Sequence, residues 1–360
     1  MAALCQDGSV QGNASTSRPV SASAPASRRP ADRSGEPLVV AAPHWAAATL
    51  ERLGHAAEVA CPIEHVVLGE NAEVVSGEPD RAEVLWRHGR LASTWVAAAV
   101  ERLPGLAWVH SDFVGVDGVP LELLARRGIA LTNGAGNFSR PMAEYVVLAM
   151  LAAAKRFPET LRHSAAGEWQ PAGTLAELDG AVALLVGLGS VNTIVATLLQ
   201  PFGTQVLATS RTRPEPLPPG VAAWYGPQEW RGVLGEVDYL VLGVPHTPAT
   251  HHLLDAATLG ALKRGAFVVN VARGALVDDA ALLAALDAGQ VSGALLDAFE
   301  AEPLPADNPY WRRQDVVVVP HHTWSSPRVP ERMVALFERL AARWASGKPL
   351  ENLVDLEAGY

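Results

Sequence analysis

The stretch AVALLVGLGSVN covers residues 181–192 and indicates how the second half of the chain folds. Its first six residues are apolar, as in a strand that is buried on both faces of a parallel sheet. Gly187 and Gly189 then lead into a helix-forming run that begins at Val191. A strand that turns into a helix through Gly-x-Gly leaves backbone N–H groups free at the helix N-terminus, where a pyrophosphate binds well. The stretch therefore predicts a dinucleotide-binding unit.

Asn192 departs from the usual fingerprint, because a third glycine normally stands there and lets helix and strand pack closely. A Gly-x-Gly after an apolar run also fits an ordinary tight turn. The next apolar run, at residues 205–209, completes a strand-turn-helix-strand order that favours the dinucleotide site.

The end of that next strand bears on the choice of cofactor. An acidic residue about 20 positions after the glycines usually bonds the ribose 2′-hydroxyl of NAD. Here Ser210 follows Gly189 by 21 positions, and Arg211, Thr212 and Arg213 come next. A hydroxyl and two guanidiniums suit a 2′-phosphate, although two solvated surface arginines are the alternative. The sequence predicts that NADPH is preferred over NADH.

Short apolar runs alternate with helix-forming segments on both sides of this unit, as in parallel α/β sheets. The predicted strands are residues 38–42, 66–68, 83–86, 107–110, 181–186, 205–209, 239–244, 266–271 and 316–319. The predicted helices are residues 45–52, 92–103, 121–127, 141–155, 191–200, 280–288 and 330–346.

Composition limits the class of protein. The 360 residues suggest two domains at roughly 150 residues each. With 49% hydrophobic and 18% charged residues and a mean hydropathy of +0.13, global disorder is excluded. A net charge of -10 without a long basic block argues against nucleic acid and against an anionic membrane surface as partners. A small-molecule substrate is the better expectation.

Cysteine and apolar content point to a cytoplasmic protein. Cys5 and Cys61 cannot build a disulfide framework, and no Cys/His cluster has metal-ligand spacing, so no metal is expected. The apolar run at residues 145–154 is too short to span a bilayer and predicts a buried helix. Residues 1–37 are rich in Ser, Ala, Pro and Arg and predict a disordered tail; a transit peptide is the disfavoured alternative.

Three later segments carry candidate catalytic groups: NVARGALVD at 270–278, LDAFEAEPLP at 296–305 and Pro-His at 320–321. Each lies at or just after an apolar strand. Since the carboxyl ends of parallel strands line one crevice, Arg273, Glu302 and His321 can converge there. Taken singly, each has a structural alternative: an ion pair at a strand end, a solvated loop acid, and a satisfied core histidine.

Over residues 38–351 the chain resembles the D-isomer-specific 2-hydroxyacid dehydrogenase family. The three segments match the family's NxxRG, Asp-x-Phe-Glu-x-Glu-Pro and Pro-His motifs in order, with 29 and 19 positions between Arg273, Glu302 and His321. Further matches are FVGVD at 113–117, Asn-Gly at 133–134 with AEY at 143–145, and VPHTPAT at 244–250.

The resemblance implies roles for these residues. Arg273 would bind the substrate carboxylate and polarise the 2-keto group, with help from the backbone amides of Val114 and Gly115. His321 would be the general acid in reduction and the base in oxidation, and Glu302 would orient its ring. The implied cofactor contacts are Gly187, Gly189, Ser190, Val191, Ser210, Arg211, Thr212, Val244, Pro245, Thr250, Ala272 and Asp297, the last beside the nicotinamide.

Two further residues are candidates for substrate binding. After His321 the family often has a small residue and Gly, whereas this chain continues His-Thr-Trp. Trp324 either reshapes the substrate pocket or is an aromatic core residue at a domain hinge. Arg87 is a weaker candidate for a second carboxylate ligand.

The expected fold is α/β, with two doubly wound parallel-sheet domains. A flavodoxin-like substrate domain comprises residues 38–136 and 322–360, and a Rossmann cofactor domain comprises residues 137–321; hinge motion would close the cleft between them. The resemblance also implies a homodimer. Its contact could use the helix at 145–154, unless that helix is buried within one subunit.

The expected function is reversible hydride transfer between NADPH and a small 2-oxo acid, which is reduced to the D-2-hydroxy acid. Glyoxylate, hydroxypyruvate or a bulkier analogue would be the substrate. The alternative is a cofactor-sensing regulatory protein on the same scaffold with little turnover, for which Asn192 would signal a weakened pyrophosphate site.

Overall fold

A computed structural model of the protein describes residues 36–46, 48–49, 51, 61–89 and 91–359. The predicted tail lies outside the described residues except for Glu36 and Pro37. Much of the predicted helix at 45–52 also lies outside them, and its start at His44–Ala46 is a 3-10 turn.

The first sheet has six strands in the order β3-β2-β1-β4-β5-β6, and every neighbouring pair is parallel except β2 and β3. The strands are β1 (Leu38–Pro43), β2 (Ile63–Leu68), β3 (Val74–Ser76), β4 (Val84–Arg87), β5 (Trp108–Ser111) and β6 (Ala130–Thr132). Without the antiparallel edge strand β3, this is the flavodoxin-like order.

The second sheet has seven parallel strands in the order β13-β12-β11-β10-β7-β8-β9. They are β7 (Val182–Val186), β8 (Gln205–Thr209), β9 (Val221–Tyr225), β10 (Tyr239–Leu242), β11 (Ala266–Asn270), β12 (Val291–Leu296) and β13 (Val316–Val318). This is the Rossmann order with a seventh strand added. The strand order reverses between β7 and β10, and in such sheets ligands bind at the carboxyl ends of the strands at this point.

Eight α-helices cover the described parts of the two sheets. They are α1 (Ser93–Arg102), α2 (Leu121–Arg127), α3 (Ser139–Ala154), α4 (Phe157–Ala166), α5 (Ser190–Leu199), α6 (Ala256–Ala261), α7 (Asp279–Asp287) and α8 (Val329–Ala345). Among the described residues, none of these helices combines the length and the apolar character that a bilayer-spanning helix requires.

The C-terminal helix α8 returns to the first sheet. Its apolar stripe includes Phe337 and Trp344, which are buried with Trp86 and Trp108 of that sheet. The ring of Phe337 stacks on Trp86 with centroids 4.4 Å apart. Beyond the helix, Leu353 forms a bridge to the end of β6. The C-terminal segment is therefore packed with the first sheet rather than with the strands that precede it.

Helix α3 packs on the second sheet, where Val146 and Met150 are buried with Val195 of α5. The prediction of a buried helix at 145–154 holds for one face only, because the side chain of Leu148 is exposed. The segment after α3 is also more ordered than its polar sequence indicates. Helix α4 continues to Ala166 and ends at Gly167, which has a left-handed backbone conformation.

Candidate active site

The glycine turn after β7 leaves an open space at the start of α5. Gly187 has a φ of 94°, and a Cβ on it would lie 2.6 Å from the carbonyl oxygen of Gly243, so no side chain fits. Gly189 is the N-cap of α5, and a Cβ built there would meet no atom of the described residues within 4 Å. Among these residues, no side chain caps the first N–H groups of α5. The turn therefore fits the pyrophosphate of a dinucleotide.

Asn192 is buried between the ends of β7 and β10. Its Nδ2 donates a hydrogen bond to the carbonyl oxygen of Gly187 at 2.6 Å. A Cβ on Gly243 would lie 2.5 Å from the same nitrogen, so glycine at 243 makes room for the Asn192 amide. The side chain of Asn192 is therefore accommodated and bonds the turn, while its effect on cofactor binding stays a prediction.

Ser210 forms two side-chain hydrogen bonds at the end of β8. Its hydroxyl donates to the carbonyl oxygen of Thr212 and accepts from the Trp224 indole, each at 2.8 Å. A phosphate offers only acceptors at neutral pH. To bind one, the Ser210 hydroxyl would have to donate to the phosphate instead of to the Thr212 carbonyl oxygen. Arg211 and Arg213 are exposed, and Arg213 lies 3.9 Å from Glu215. Both arginines stay candidates for a 2′-phosphate.

The loop after β10 runs beside the glycine turn. Val244 lies against Gly187, since a Cβ on that glycine would be 2.7 Å from Val244 Cγ1. Thr250 holds the loop together: its hydroxyl donates to the Pro245 carbonyl oxygen at 2.7 Å and accepts from the Thr247 amide at 2.8 Å. The predicted cofactor contacts of this loop stay a prediction.

Ser190 and Val191 lie at the first turn of α5, next to the open space. The Ser190 hydroxyl is 2.8 Å from that of Ser139 at the start of α3, which joins the two helix N-termini. Their predicted contacts to the cofactor also stay a prediction.

His321 and Glu302 form a hydrogen-bonded pair at the carboxyl edge of the second sheet. The imidazole Nδ1 lies 2.8 Å from Glu302 Oε2, and Glu302 Oε1 accepts from the Phe299 amide at 3.0 Å. Burial opposes ionisation of Glu302, but the hydrogen bonds from His321 and Phe299 and the charges of His321 and Arg273 hold the pKa of its carboxyl below the ordinary value. The carboxylate therefore orients the ring and directs Nε2 away from it.

Arg273 reaches from the second sheet to the loop that follows β5 of the first. Its Nη2 donates to Asp117 Oδ2 at 3.2 Å, and its Nη1 to the carbonyl oxygen of Ala272 at 2.9 Å. A Cβ on Gly115 would lie 2.1 Å from Nη2, so a side chain there would displace the end of the Arg273 side chain. Val114 beside it is exposed. The guanidinium and the backbone of this loop thus face each other between the two sheets.

Asn270 and Asp297 are buried and position the catalytic candidates. This role was not predicted for them. Asn270, at the end of β11, donates from Nδ2 to the Arg273 carbonyl oxygen at 2.9 Å and accepts from the Ala272 amide at 3.0 Å. Its place at the head of the NxxRG motif is a signal that could have revealed this role. The bonds fix the backbone from which the Arg273 side chain extends.

Asp297, at the end of β12, holds the segment after His321. Its Oδ1 accepts from the amides of His322 at 2.7 Å and Thr323 at 3.2 Å, and its Oδ2 accepts from the Thr323 hydroxyl. Burial raises the pKa of Asp297 even though these bonds oppose the shift. Because both oxygens are engaged, the observed role is positioning, and the predicted nicotinamide contact stays a prediction.

Trp324 packs in an aromatic cluster and does not project into open space. Its indole donates to the His321 carbonyl oxygen at 2.8 Å, and its ring meets Phe138 edge-on with centroids 5.8 Å apart. Val329 and Met333 are buried in the same cluster. These contacts favour the interpretation of Trp324 as an aromatic core residue at a domain hinge over that of a residue that reshapes the substrate pocket.

Arg87 is buried at the end of β4. Its guanidinium donates to the Ser111 hydroxyl at 2.9 Å and to the Leu91 carbonyl oxygen at 2.7 Å, and it lies 6.0 Å from the ring centre of Phe113. These bonds anchor it within the first sheet. A contact from Arg87 to substrate stays a prediction.

The chain is similar to known proteins. Residues 147–323 match the family model described as D-isomer specific 2-hydroxyacid dehydrogenase, NAD binding domain. A glyoxylate reductase from Korarchaeum cryptofilum is 32% identical over 266 residues, which cover 72% of this chain and 80% of that protein. The chain belongs to the D-isomer specific 2-hydroxyacid dehydrogenase family. The resemblance drawn from the motifs is thereby confirmed.

Solved structures of this family have the same fold. A dehydrogenase from Xanthobacter autotrophicus Py2, in complex with NADPH and MES, is 28% identical with a TM-score of 0.75, covering 90% of this chain and 99% of that one. An NADPH-dependent glyoxylate/hydroxypyruvate reductase from Sinorhizobium meliloti, in complex with NADP and sulfate, is 26% identical with a TM-score of 0.71, covering 90% and 100%. As a D-isomer specific 2-hydroxyacid dehydrogenase, the protein is an NAD(P)-dependent oxidoreductase of 2-oxo and 2-hydroxy acids.

Proposed function

We propose that the protein reduces a small 2-oxo acid of the glyoxylate or hydroxypyruvate class, with NADPH as its preferred cofactor. The observation that carries this proposal is the proximity of the Arg273 guanidinium to the Glu302–His321 pair, since the charge of Arg273 lowers the pKa of the Glu302 carboxyl. The names of the relatives, glyoxylate reductase and glyoxylate/hydroxypyruvate reductase, support the substrate class.

Arg273 is the proposed carboxylate ligand. Its Nη2 already meets a carboxylate, that of Asp117, whose side chain is 88% exposed and can move aside. A planar guanidinium can then hold a substrate carboxylate through two parallel hydrogen bonds. The backbone N–H groups of Val114 and Gly115 would complete the carboxylate site from the first sheet.

His321 is the proposed proton donor in reduction and acceptor in oxidation. Glu302 holds Nδ1, which leaves Nε2 to donate to the 2-keto oxygen while negative charge develops there. When bound, NADPH supplies the hydride. Glu302 also stabilises the protonated imidazole that must be present before the reduction starts.

The proposed cofactor cradle consists of the Gly187–Gly189 turn and the first N–H groups of α5. The open space beside Gly189 supports it, because neither a side chain nor a cap fills the position of the pyrophosphate. Arg211 is the proposed ligand of the 2′-phosphate. We expect the parent protein to use NADPH with a higher kcat/KM than NADH, and Ser210→Asp with Arg211→Ala to shift this ratio toward NADH. Glu215→Gln serves as a matched loop control, and equal use of both cofactors by the parent would contradict the preference.

The test of the activity is the loss of nicotinamide absorbance with a panel of 2-oxo acids. Glyoxylate and hydroxypyruvate should be turned over, and His321→Ala should lower kcat by about 10² to 10⁴-fold while the Kd for NADPH stays unchanged. NADPH binding without turnover of any 2-oxo acid would instead favour the cofactor-sensing protein.

We also propose that the chain forms a homodimer through α3, α4 and the segment after them. This part of the chain exposes five large apolar side chains, a concentration typical of an interface. They are Leu148, Phe157, Leu161, Trp169 and Leu175.

The proposed domain limits are residues 38–136 with 322–360 for the substrate domain and residues 137–321 for the cofactor domain. Packing of α8 on the first sheet and of α3 on the second supports them. A cytoplasmic location remains part of the proposal, because two cysteines give no disulfide framework.

A further inference from the structure

Three side chains of metal-ligating type meet at the carboxyl edge of the second sheet, outside the Arg273–Glu302–His321 group. They are His251, His252 and Glu300, and one ligand atom from each lies within 4.8 Å of those of the other two. His252 Nε2 is 3.2 Å from Glu300 Oε1. Short ligand spacing did not predict this cluster, because 48 positions separate His252 from Glu300.

The two imidazoles extend from an anchored backbone. The His252 amide donates to the Ala275 carbonyl oxygen at 2.8 Å, and the His251 amide donates to that of Thr247 at 2.9 Å. Their rings stack with centroids 3.9 Å apart. A third imidazole is adjacent, since His246 Nε2 lies 3.3 Å from His251 Nδ1. Nitrogen donors are thus concentrated around the single carboxylate.

The surroundings favour a cation. Asp279, at the start of α7, places a second carboxylate near Glu300. Burial raises the pKa of Asp279, and the charges of Glu300 and Asp278 raise it further, although a bond from Tyr310 opposes the shift. Within the described part of the chain, the ion pair recorded for Glu300 is with His252, whose charge depends on protonation. Negative charge is therefore in excess here.

We propose that His251, His252 and Glu300 bind one divalent transition-metal ion, with Zn²⁺ as the type case and water completing the coordination. Zinc accepts imidazole nitrogen and carboxylate oxygen at about 2.0 to 2.2 Å in a tetrahedral site. Ligand atoms around such an ion lie about 3 to 3.5 Å apart, so one of the two partly exposed imidazoles must rotate out of their stack to close the site. Ca²⁺ and Mg²⁺ prefer oxygen ligands and do not suit two imidazoles.

The ion would join two loops that border the proposed active site. His251 and His252 end the loop after β10, while Glu300 lies two residues before Glu302 in the loop after β12. The site does not use Arg273 or His321, and the proposal does not depend on the proposed substrate.

The experiment is calorimetric titration of the chelator-treated, full-length protein with ZnCl₂, MgCl₂ and CaCl₂. We expect one Zn²⁺ per chain and no binding of the other two ions. His251→Ala, His252→Ala and Glu300→Gln should each weaken Zn²⁺ binding at least about tenfold, as expected for loss of a direct ligand. His163→Ala is the matched control, because His163 is a partly exposed imidazole on α4 that contacts the Gln170 carbonyl oxygen. The Zn²⁺ affinity of this variant should equal that of the parent.

Circular dichroism of each variant verifies that the fold is retained. Absence of Zn²⁺ binding by the parent would overturn the proposal. Equal affinity in all four variants would overturn it as well. So would loss of the Zn²⁺ site in His321→Ala, since the ion would then belong to the proposed active site.

Discussion

The Asn192 amide illustrates how one side chain can occupy the place of a glycine without closing the site. Its Nδ2 supplies a donor to the carbonyl oxygen of Gly187, which a glycine at this position could not do. The space comes from Gly243 on the neighbouring strand. The Asn192 Oδ1 is buried without a hydrogen-bond partner, which makes this position sensitive to changes in polarity.

Asn192→Gly is expected to weaken NADPH binding by about tenfold, because loss of a buried bond leaves the Gly187 carbonyl oxygen unpaired at a cost of about 1 to 3 kcal/mol. Asn192→Asp should bind more weakly still, because a carboxylate would face that oxygen without a donor. Fluorescence titration with NADPH measures both. The third-glycine interpretation predicts the reverse, with tolerance or tighter binding in Asn192→Gly, so the order of the three affinities distinguishes the two views.

Asp117 competes with the substrate carboxylate for the Arg273 guanidinium. The pair it forms with Arg273 is exposed, and such pairs are worth about 0.2 to 1 kcal/mol. Asp117→Asn should therefore lower the KM for a 2-oxo acid by a factor of about two to five, with little change in kcat. Steady-state kinetics checks this, with Glu122→Gln on α2 as an exposed control. An increased KM would mean that Asp117 positions Arg273 instead.

Glu302→Gln tests the pairing with His321 through pH dependence. In the parent, the lowered pKa of Glu302 keeps its carboxylate charged through the mildly acidic range, where it stabilises the protonated imidazole. Glutamine keeps the shape but removes this charge. The alkaline limb of kcat/KM for reduction should therefore move to lower pH. A profile that does not move would refute the assigned role of Glu302.

At the scale of single elements, α8 depends on its aromatic contact with the first sheet. Phe337 is fully buried and stacks on Trp86, so Phe337→Ala should lower the free energy of unfolding by about 3 to 5 kcal/mol. Urea unfolding followed by circular dichroism measures the change. Glu331→Ala, on the exposed side of the same helix, should change stability by less than about 0.5 kcal/mol. Equal effects of the two substitutions would contradict this packing.

For the whole molecule, the exposed apolar side chains of α3 and α4 carry the proposed dimer. Leu161→Glu should convert the dimer to a monomer, because it places a charge in the contact that would be desolvated on association. Light scattering after size exclusion gives the mass. Phe202→Glu, at a half-exposed apolar position after α5, is the control and should remain dimeric. A parent that is monomeric at micromolar concentration would contradict the proposed dimer.

Much of the fold follows from local sequence patterns. Apolar runs predicted the central strands β7, β8, β10 and β11, because a strand buried on both faces is nearly continuously apolar. Four strands and two helices were missed: β3, β6, β9, β12, α4 and α6. The strands β3 and β6 have three residues each, and β12 contains Ser292 and Gly293, so periodicity alone does not distinguish them from loops.

The sequence by itself determined the α/β class, the glycine turn, the family and the candidates Arg273, Glu302 and His321, since each depends on residues that lie close together along the chain. Only the tertiary structure decided that Arg273 meets Gly115, that Gly243 makes room for Asn192, and that His252 approaches Glu300. The physical reason is that these contacts depend on the order of strands in each sheet and on how the two sheets face each other. Local hydrophobic periodicity reports the burial of a segment, but it does not specify which distant segment covers it.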